Sequence, residues 1–429
     1  MKPKIVYAGI CLVALSICAT FPLFPQQVRY GTGNWDTETL GNHRAVLNVA
    51  EKADVVRAHI PWRLRDSEPE KKNILIIEAS TGSRVTNLLR LDVNRAFGDI
   101  LFQAQVPGTY YVYYMPFQSK GRNYPVVTYP TPEDGADPAW KKRAAAALTS
   151  SSALIEANLV EIQACDEFNS LYPMEVIATP AETSALLKAY SGNKFLLFPE
   201  DRRNPIRMSE DLPQKWIIEG PRAEFAGDAE RGEYYAFQAG LFATAADIRN
   251  IAVRFTDLRA GSRSIPSSAF RSVNTGGINW DGTAFKKTIA VKKGHVQALW
   301  FGVQIPEEAT PGTYKGQVSI MPDGMPAQSI SLAITVKPGV AAEAGNDEPW
   351  RHSRLRWLDS MLAFDDEIVR PYTPMRVTQN RIEILGRRLT LATSGFPAQV
   401  ESFYSPEVTR IQGAAKSLLA DPIELIVED

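Results

Sequence analysis

Acidic residues stand side by side at Asp166-Glu167, Asp347-Glu348 and Asp366-Glu367, and Glu200-Asp201 is followed directly by Arg202-Arg203. Paired carboxylates can divide general acid and base work across one glycosidic bond, provided that the fold holds them on either side of it. Asp347-Glu348 falls in a Gly- and Ala-rich stretch that reads as a linker, which speaks against chemistry there. The Glu200–Arg203 cluster ends an apolar run, KFLLF, so a strand would deliver it to a rim where it could hold a sugar; the competing reading is an ion-pair cluster facing solvent. Aromatic residues offer the other carbohydrate-directed chemistry. Tyr110, Tyr111, Tyr113 and Tyr114 alternate along one segment and would place aromatic rings on both faces of a strand. One face must be core, and the other either stacks on ligand or lies under neighbouring structure, burial being the favoured role. Asn274–Gly282 is a polar loop carrying Trp280, either a ligand loop or a long turn.

Other chemistries find no support. His43, His59, His295 and His352 are scattered, without an HExxH-like spacing or cysteine partners, so no metal site is expected. Gly31-Thr32-Gly33 lacks a preceding strand and a third glycine, and neither a phosphate-binding loop nor a GxSxG elbow occurs. No cofactor is implied, and no residue qualifies as a catalyst.

The elements that must position these residues read as mainly β. Across 429 residues, 29 prolines and 28 glycines punctuate short alternating runs, which favours strands and turns over long helices. A net charge of −1 argues against nucleic acid as a partner. Lys2 and Lys4 precede an apolar stretch, Ile5 to Ala19, that has the build of a secretory leader; residues 1–25 are expected to be a signal peptide, and the protein exported to periplasm or cell surface. Leu15-Ser16-Ile17-Cys18 resembles a lipoprotein cleavage box, although Ile17 is bulky for one. Removal of the leader takes Cys11 and Cys18 with it and leaves Cys165 without a disulfide partner.

The phrase PGTY occurs twice, at Pro107–Tyr110 and Pro311–Tyr314, each time between apolar runs. Pro-Gly forms a turn, and a tyrosine just inside the next strand can send its hydroxyl back to the preceding corner, as immunoglobulin-like sandwiches do. Two copies predict two sandwiches. The first is expected over 28–215, carrying a helical insertion at about 137–190 that opens at Asp137-Pro138 and includes a capping box at Thr179–Glu182. The second is expected over 216–338. A linker, 339–349, would lead to an incomplete β-rich unit, 350–429, whose apolar runs IEILG, LTLAT and IELIV lack partners.

Many phrases in order carry a family resemblance. AHIPWRLRD (Ala58–Asp66), NRAFGDILFQ (Asn94–Gln103), PGTYYVYYMPF (Pro107–Phe117), YPMEVIA (Tyr172–Ala178), GEYYAFQAGLFA (Gly232–Ala243), VNTGGINWDG (Val273–Gly282), QALWFGVQIP (Gln297–Pro306), SRLRWLDS (Ser353–Ser360) and GFPAQVESFY (Gly395–Tyr404) resemble the N-terminal region of glycoside hydrolase family 123-like proteins. The resemblance implies β-sandwich domains preceding a (β/α)₈ barrel in longer members. That barrel carries an adjacent Asp-Glu pair and cleaves β-linked N-acetylgalactosamine with help from the substrate's acetamido group. Such a barrel needs about 200–250 residues. None of the Asp-Glu pairs here sits on a barrel strand, so no catalytic residue is carried over. The expected role is a non-catalytic region that supports the barrel and contacts glycan. A stand-alone cell-surface carbohydrate-binding protein is the alternative, and an enzyme built on Glu200 and Asp201 is a remote third.

Overall fold

The computed structural model describes residues 28–150, 154–170, 173–361 and 368–427. The expected leader, Cys11, Cys18 and the Asp366-Glu367 pair lie outside the described residues. The chain divides into two compact units: one runs to Thr275 and resumes over Lys287–Leu355, and the other comprises Gly276–Lys286 and the segment from Arg356 onward. The architecture is mainly β, as expected. Among the described residues no helix is long and apolar enough to cross a membrane.

The first unit opens with β1 (Tyr30–Thr32), a one-turn helix α1 (Thr37–Leu40), β2 (His43–Val49), β3 (Ala53–Ile60), β4 (Ile74–Glu78), β5 (Leu88–Val93), β6 (Gly98–Ala104) and β7 (Gly108–Tyr114). A hairpin, β8 (Gln118–Lys120) and β9 (Val126–Thr128), precedes helix α2 (Pro138–Thr149), then β10 (Ile155–Glu156) and β11 (Asn158–Ala164). Two sheets result, ordered β1-β11-β2-β7-β4 and β10-β3-β6-β5. Alternation places Ala45, Leu47, Val56, Ala58, Ile100, Phe102, Tyr110 and Val112 in one core between them. Asp137 caps α2 by accepting from the Trp140 amide at 2.8 Å. The helix presses Trp140 and Ala144 onto Leu101, on the outer face of the second sheet.

The first unit continues through α3 (Pro180–Ala189), β12 (Phe195–Asp201), α4 (Gln214–Glu219), β13 (Glu224–Arg231), β14 (Tyr234–Ala243), β15 (Ala252–Phe255), β16 (Leu258–Ala260), β17 (Arg263–Ile265) and β18 (Phe270–Ser272). After the excursion of β19 (Gly276–Ile278) and β20 (Ala284–Lys286) it resumes with β21 (Val296–Gln304), β22 (Gly312–Met321) and β23 (Gln328–Val340). The sheets β12-β14-β21-β18 and β13-β23-β22-β16-β17, the latter with β15 beside β22, enclose a second core. Both faces of β12 are buried: Phe195 and Leu197 face this core, whereas Leu196 and Phe198 face a layer formed with Leu186 of α3 and Trp216 of α4. That double burial explains the uninterrupted apolar run.

Residues 137–190, expected as one insertion on the first sandwich, therefore divide. α2 covers the first sandwich, β11 is an integral strand beside β2, and α3 with α4 covers the second sandwich. The segment 173–178 forms no strand and makes a single bridge between Ile177 and Pro213. Residues 339–349 are no loose linker. β23 runs to Val340, and a tight turn follows with Gly345 and Asn346 buried. The capping box at Thr179 and Glu182 forms as read, and the Glu182 carboxylate also receives both Nη atoms of Arg63, at 2.7 and 3.0 Å. This fork fastens α3 to the end of the first sandwich.

Both PGTY corners close in the same way. Gly108 and Gly312 adopt φ of 129° and 146°, values that L side chains rarely reach. The Tyr110 hydroxyl donates to the Val106 carbonyl at 2.7 Å, and that of Tyr314 to the Thr310 carbonyl at 3.0 Å. Tyr110→Phe and Tyr314→Phe are each expected to lower stability by about 1–2 kcal/mol, since a carbonyl loses its donor in a partly buried corner. Equilibrium urea denaturation checks this, with an unchanged m-value showing that only stability has moved.

In the second unit β24 (Arg376–Thr378), β25 (Arg381–Ile384), β26 (Arg387–Leu391), β27 (Pro397–Tyr404) and β28 (Ile411–Ser417) form an antiparallel meander. One face carries the ladder Arg376, Glu383, Arg388 and Glu401, and the other carries Val377, Ile382, Leu389 and Val400. The runs expected to lack partners, IEILG and LTLAT, pair with one another here, whereas Leu425, Ile426 and Val427 form no strand and are exposed. Ser353–Asp359 is a 3-10 stretch, and residues 362–367 lie outside the described residues.

Candidate functional site

Glu200, Asp201, Asp166 and Glu348 are held by structural partners. Glu200 and Asp201 are consecutive on β12, so their side chains leave opposite faces of the sheet. Glu200 is buried and its carboxylate accepts from the Trp216 indole at 2.8 Å and from the Lys215 ammonium at 2.6 Å. Asp201 accepts from the Tyr235 hydroxyl at 2.8 Å, and burial, followed by the nearby Asp201 charge, drives the Tyr235 phenol upward. Arg202 turns inward onto buried Glu233, while Arg203 is exposed. Asp166 caps its own turn by accepting from the Asn169 amide at 2.8 Å, which holds its carboxyl below the usual range. Glu348 grips Arg351 at 2.5 Å.

The tyrosine strand is closed on both faces. Tyr110, Tyr113 and Tyr114 are buried, and Arg44 covers the outer side, its guanidinium 3.8 Å from the Tyr111 ring and 4.5 Å from Trp35. Trp280, by contrast, is 91 % exposed at the tip of the β19–β20 hairpin, where Asp281 accepts from the Thr283 amide at 3.0 Å. Among the described residues no group of three or more His, Cys, Asp or Glu side chains is arranged to hold a metal ion.

What sequence reading missed is a cavity of about 630 Å³ in the first unit. Its wall is assembled from separate segments: Asn42 and His43, Leu64–Asp66, Tyr114–Phe117 with Tyr129, Glu175, and Met208–Asp211. The volume is typical of clefts that take small ligands. Phe117 and Tyr129, at the two roots of the β8–β9 hairpin, meet edge to face with centroids 6.2 Å apart. The Lys72 ammonium lies 4.2 Å from the Tyr129 centroid and bonds the Asp66 carboxylate. Arg95 holds Asp211 at 2.7 Å, and Arg207 holds Glu175 at 2.8 Å. Tyr114 is fully buried, and its hydroxyl has no hydrogen-bond partner among the described residues.

His43 stacks on Tyr114, and its Nε2 lies 2.7 Å from the Asn169 carbonyl. Burial lowers its pKa despite the opposing influence of that carbonyl and of Glu175 and Asp166. The unfolded chain therefore binds this proton at a higher pH than the native protein, so its contribution to stability is lost as pH falls through about 6.5. The denaturation midpoint is expected to drop between about pH 7 and 5, and His43→Gln is expected to flatten that slope. An unchanged slope in the variant would show that other groups govern the window.

Compared with family models, residues 33–165 match the glycoside hydrolase 123 N-terminal domain, residues 278–322 a further glycoside hydrolase 123 N-terminal domain model, and residues 375–429 the third domain of glycoside hydrolase 123. No curated protein matches the chain. Among solved structures, a family 123 glycoside hydrolase from Clostridium perfringens, described as hydrolysing glycolipid glycans, aligns at 14% identity over 35% of this chain with a TM-score of 0.28. The chain spans 28% of that enzyme's length. A PapD-like domain of human CEP192 aligns at 12% identity over 28% of this chain and 84% of its own, with a TM-score of 0.19. An endo-fucoidan hydrolase of glycoside hydrolase family 107 aligns at 8% identity over 62% of this chain and 24% of its own, with a TM-score of 0.19. With three domain models of one family matched along a single chain, the protein belongs to the glycoside hydrolase 123 family.

Proposed function

We propose that this chain is the non-catalytic β-sandwich region of an exported glycoside hydrolase-like protein, which supports a (β/α)₈ catalytic barrel and walls part of its glycan path. The observation that carries the reading is the set of family domains matched along the chain, the N-terminal models preceding the third domain. The site geometry agrees with a supporting role: Glu200 and Asp201 leave opposite faces of one strand and are held by Trp216, Lys215 and Tyr235. Lys2, Lys4 and the apolar stretch after them support export. A second reading, a cell-surface glycan-binding protein that acts alone, is favoured by the exposed Trp280.

Intact-mass analysis of the protein from its native source separates the two. A product that lacks the leader and exceeds the 47.5 kDa of this chain by at least a barrel of about 200–250 residues is the expected result. A mass below 47.5 kDa would overturn the supporting role and leave the stand-alone reading. An N-terminus that still begins at Met1 would overturn export by a cleaved leader.

A further inference from the structure

We infer that the cavity walled by Phe117, Tyr129, Asp66, Glu175 and Met208–Asp211 is a binding site for a neutral oligosaccharide. The inference deepens the glycan-contacting role proposed above and rests on it. Two observations select this ligand chemistry. The first is charge balance. Asp66, Glu175, Glu210 and Asp211 line the cavity; Lys72 pairs with Asp66, Arg95 with Asp211, and Arg65 and Arg207 both with Glu175. Asp66, Glu175 and Asp211 are each mostly buried and already paired, so the buried wall is neutralised and an anionic ligand finds no unpaired cation there, while Glu210 stands exposed at its edge. Paired carboxylates still have lone pairs free to accept from hydroxyl groups, which suits a polyol.

The second is the aromatic corner. Phe117 and Tyr129 offer an apolar edge beside those acceptors, and Tyr129 is 39 % exposed, with its orientation fixed by Phe117 on one side and Lys72 on the other. A sugar ring has the same split character, C–H faces with a hydroxyl rim.

The test uses the whole chain. A printed array of neutral, sulfated and uronic-acid glycans is followed by isothermal titration with the strongest neutral ligand, using wild type, Tyr129→Ala, Glu210→Arg and Trp280→Ala. Glu210 is exposed and makes no ion pair among the described residues, so its replacement narrows the cavity without disturbing the fold. The expected result is neutral-glycan binding that is weakened at least tenfold by Tyr129→Ala and by Glu210→Arg. It should be unchanged in Trp280→Ala and insensitive to ionic strength. Binding lost only in Trp280→Ala would overturn the cavity site and leave the glycan-contacting role standing. Binding confined to acidic glycans, and weakened by salt, would overturn the neutral assignment. If no glycan binds at all, both the site and the glycan-contacting role fail.

Discussion

Glu233→Ala is expected to lower the unfolding free energy by about 3–5 kcal/mol, because it strips the shared carboxylate from two guanidinium groups that stay inside. Glu233 is completely buried, Arg202 is 5 % exposed at its side chain and Arg351 13 %. One carboxylate oxygen receives Arg202 and, at 3.0 Å, Arg351; the other accepts from the Glu230 amide at 2.7 Å. Arg202 is sandwiched between Tyr235 and Trp350, with ring centroids 4.6 and 5.0 Å away, so it cannot swing out to water without breaking those contacts. The network joins the end of β12, the β13–β14 turn and the chain just beyond β23, and so fixes where the chain leaves the second sandwich. Glu233→Gln keeps an acceptor while removing the charge, and should lose less. Denaturation midpoints of the two variants check this. A loss below about 1 kcal/mol for Glu233→Ala would mean that water enters and solvates the arginines.

Trp216→Ala should cost a similar amount, about 3–5 kcal/mol, through lost packing and the void that remains. The indole stacks on Phe198 with centroids 4.4 Å apart and planes 4° from parallel, and its N–H is a donor to buried Glu200. The residue joins α4 to the outer face of β12 and is among the largest side chains fully buried in the protein. Its loss should also loosen residues 205–213, of which Met208–Asp211 line the cavity, and thermal melts with limited proteolysis read the two effects separately. Trp216→Phe keeps an aromatic ring against Phe198 while removing the donor and part of the indole, so it should sit between Trp216→Ala and wild type. Equal stability of the Ala and Phe variants would show that the hydrogen bond to Glu200, not packing, dominates.

The features legible in the sequence were those set by neighbours along the chain. Asp137-Pro138 and Thr179–Glu182 cap helices as read, because a cap needs only residues within one turn. Both PGTY phrases build the same corner, since the tyrosine reaches back only four positions to its acceptor. The assignment of α3 to the wrong sandwich shows where this stops. Capping and composition define a helix, but not which sheet its apolar side covers, and that depended on Leu196 and Phe198 emerging from the far face of β12.

Function followed the same division. The sequence by itself determined the mainly β texture, the two tyrosine corners and the family, each written in short phrases that survive without the fold. Only the tertiary structure decided that Glu200 and Asp201 serve the scaffold, since Trp216 and Tyr235 lie 16 and 34 positions away from the acids they bind. It alone assembled the cavity, where Arg95 meets Asp211 across 116 positions and Lys72 meets a ring at Tyr129. Pairings at such separations are selected by burial and charge compensation in the folded chain, and no local pattern records them.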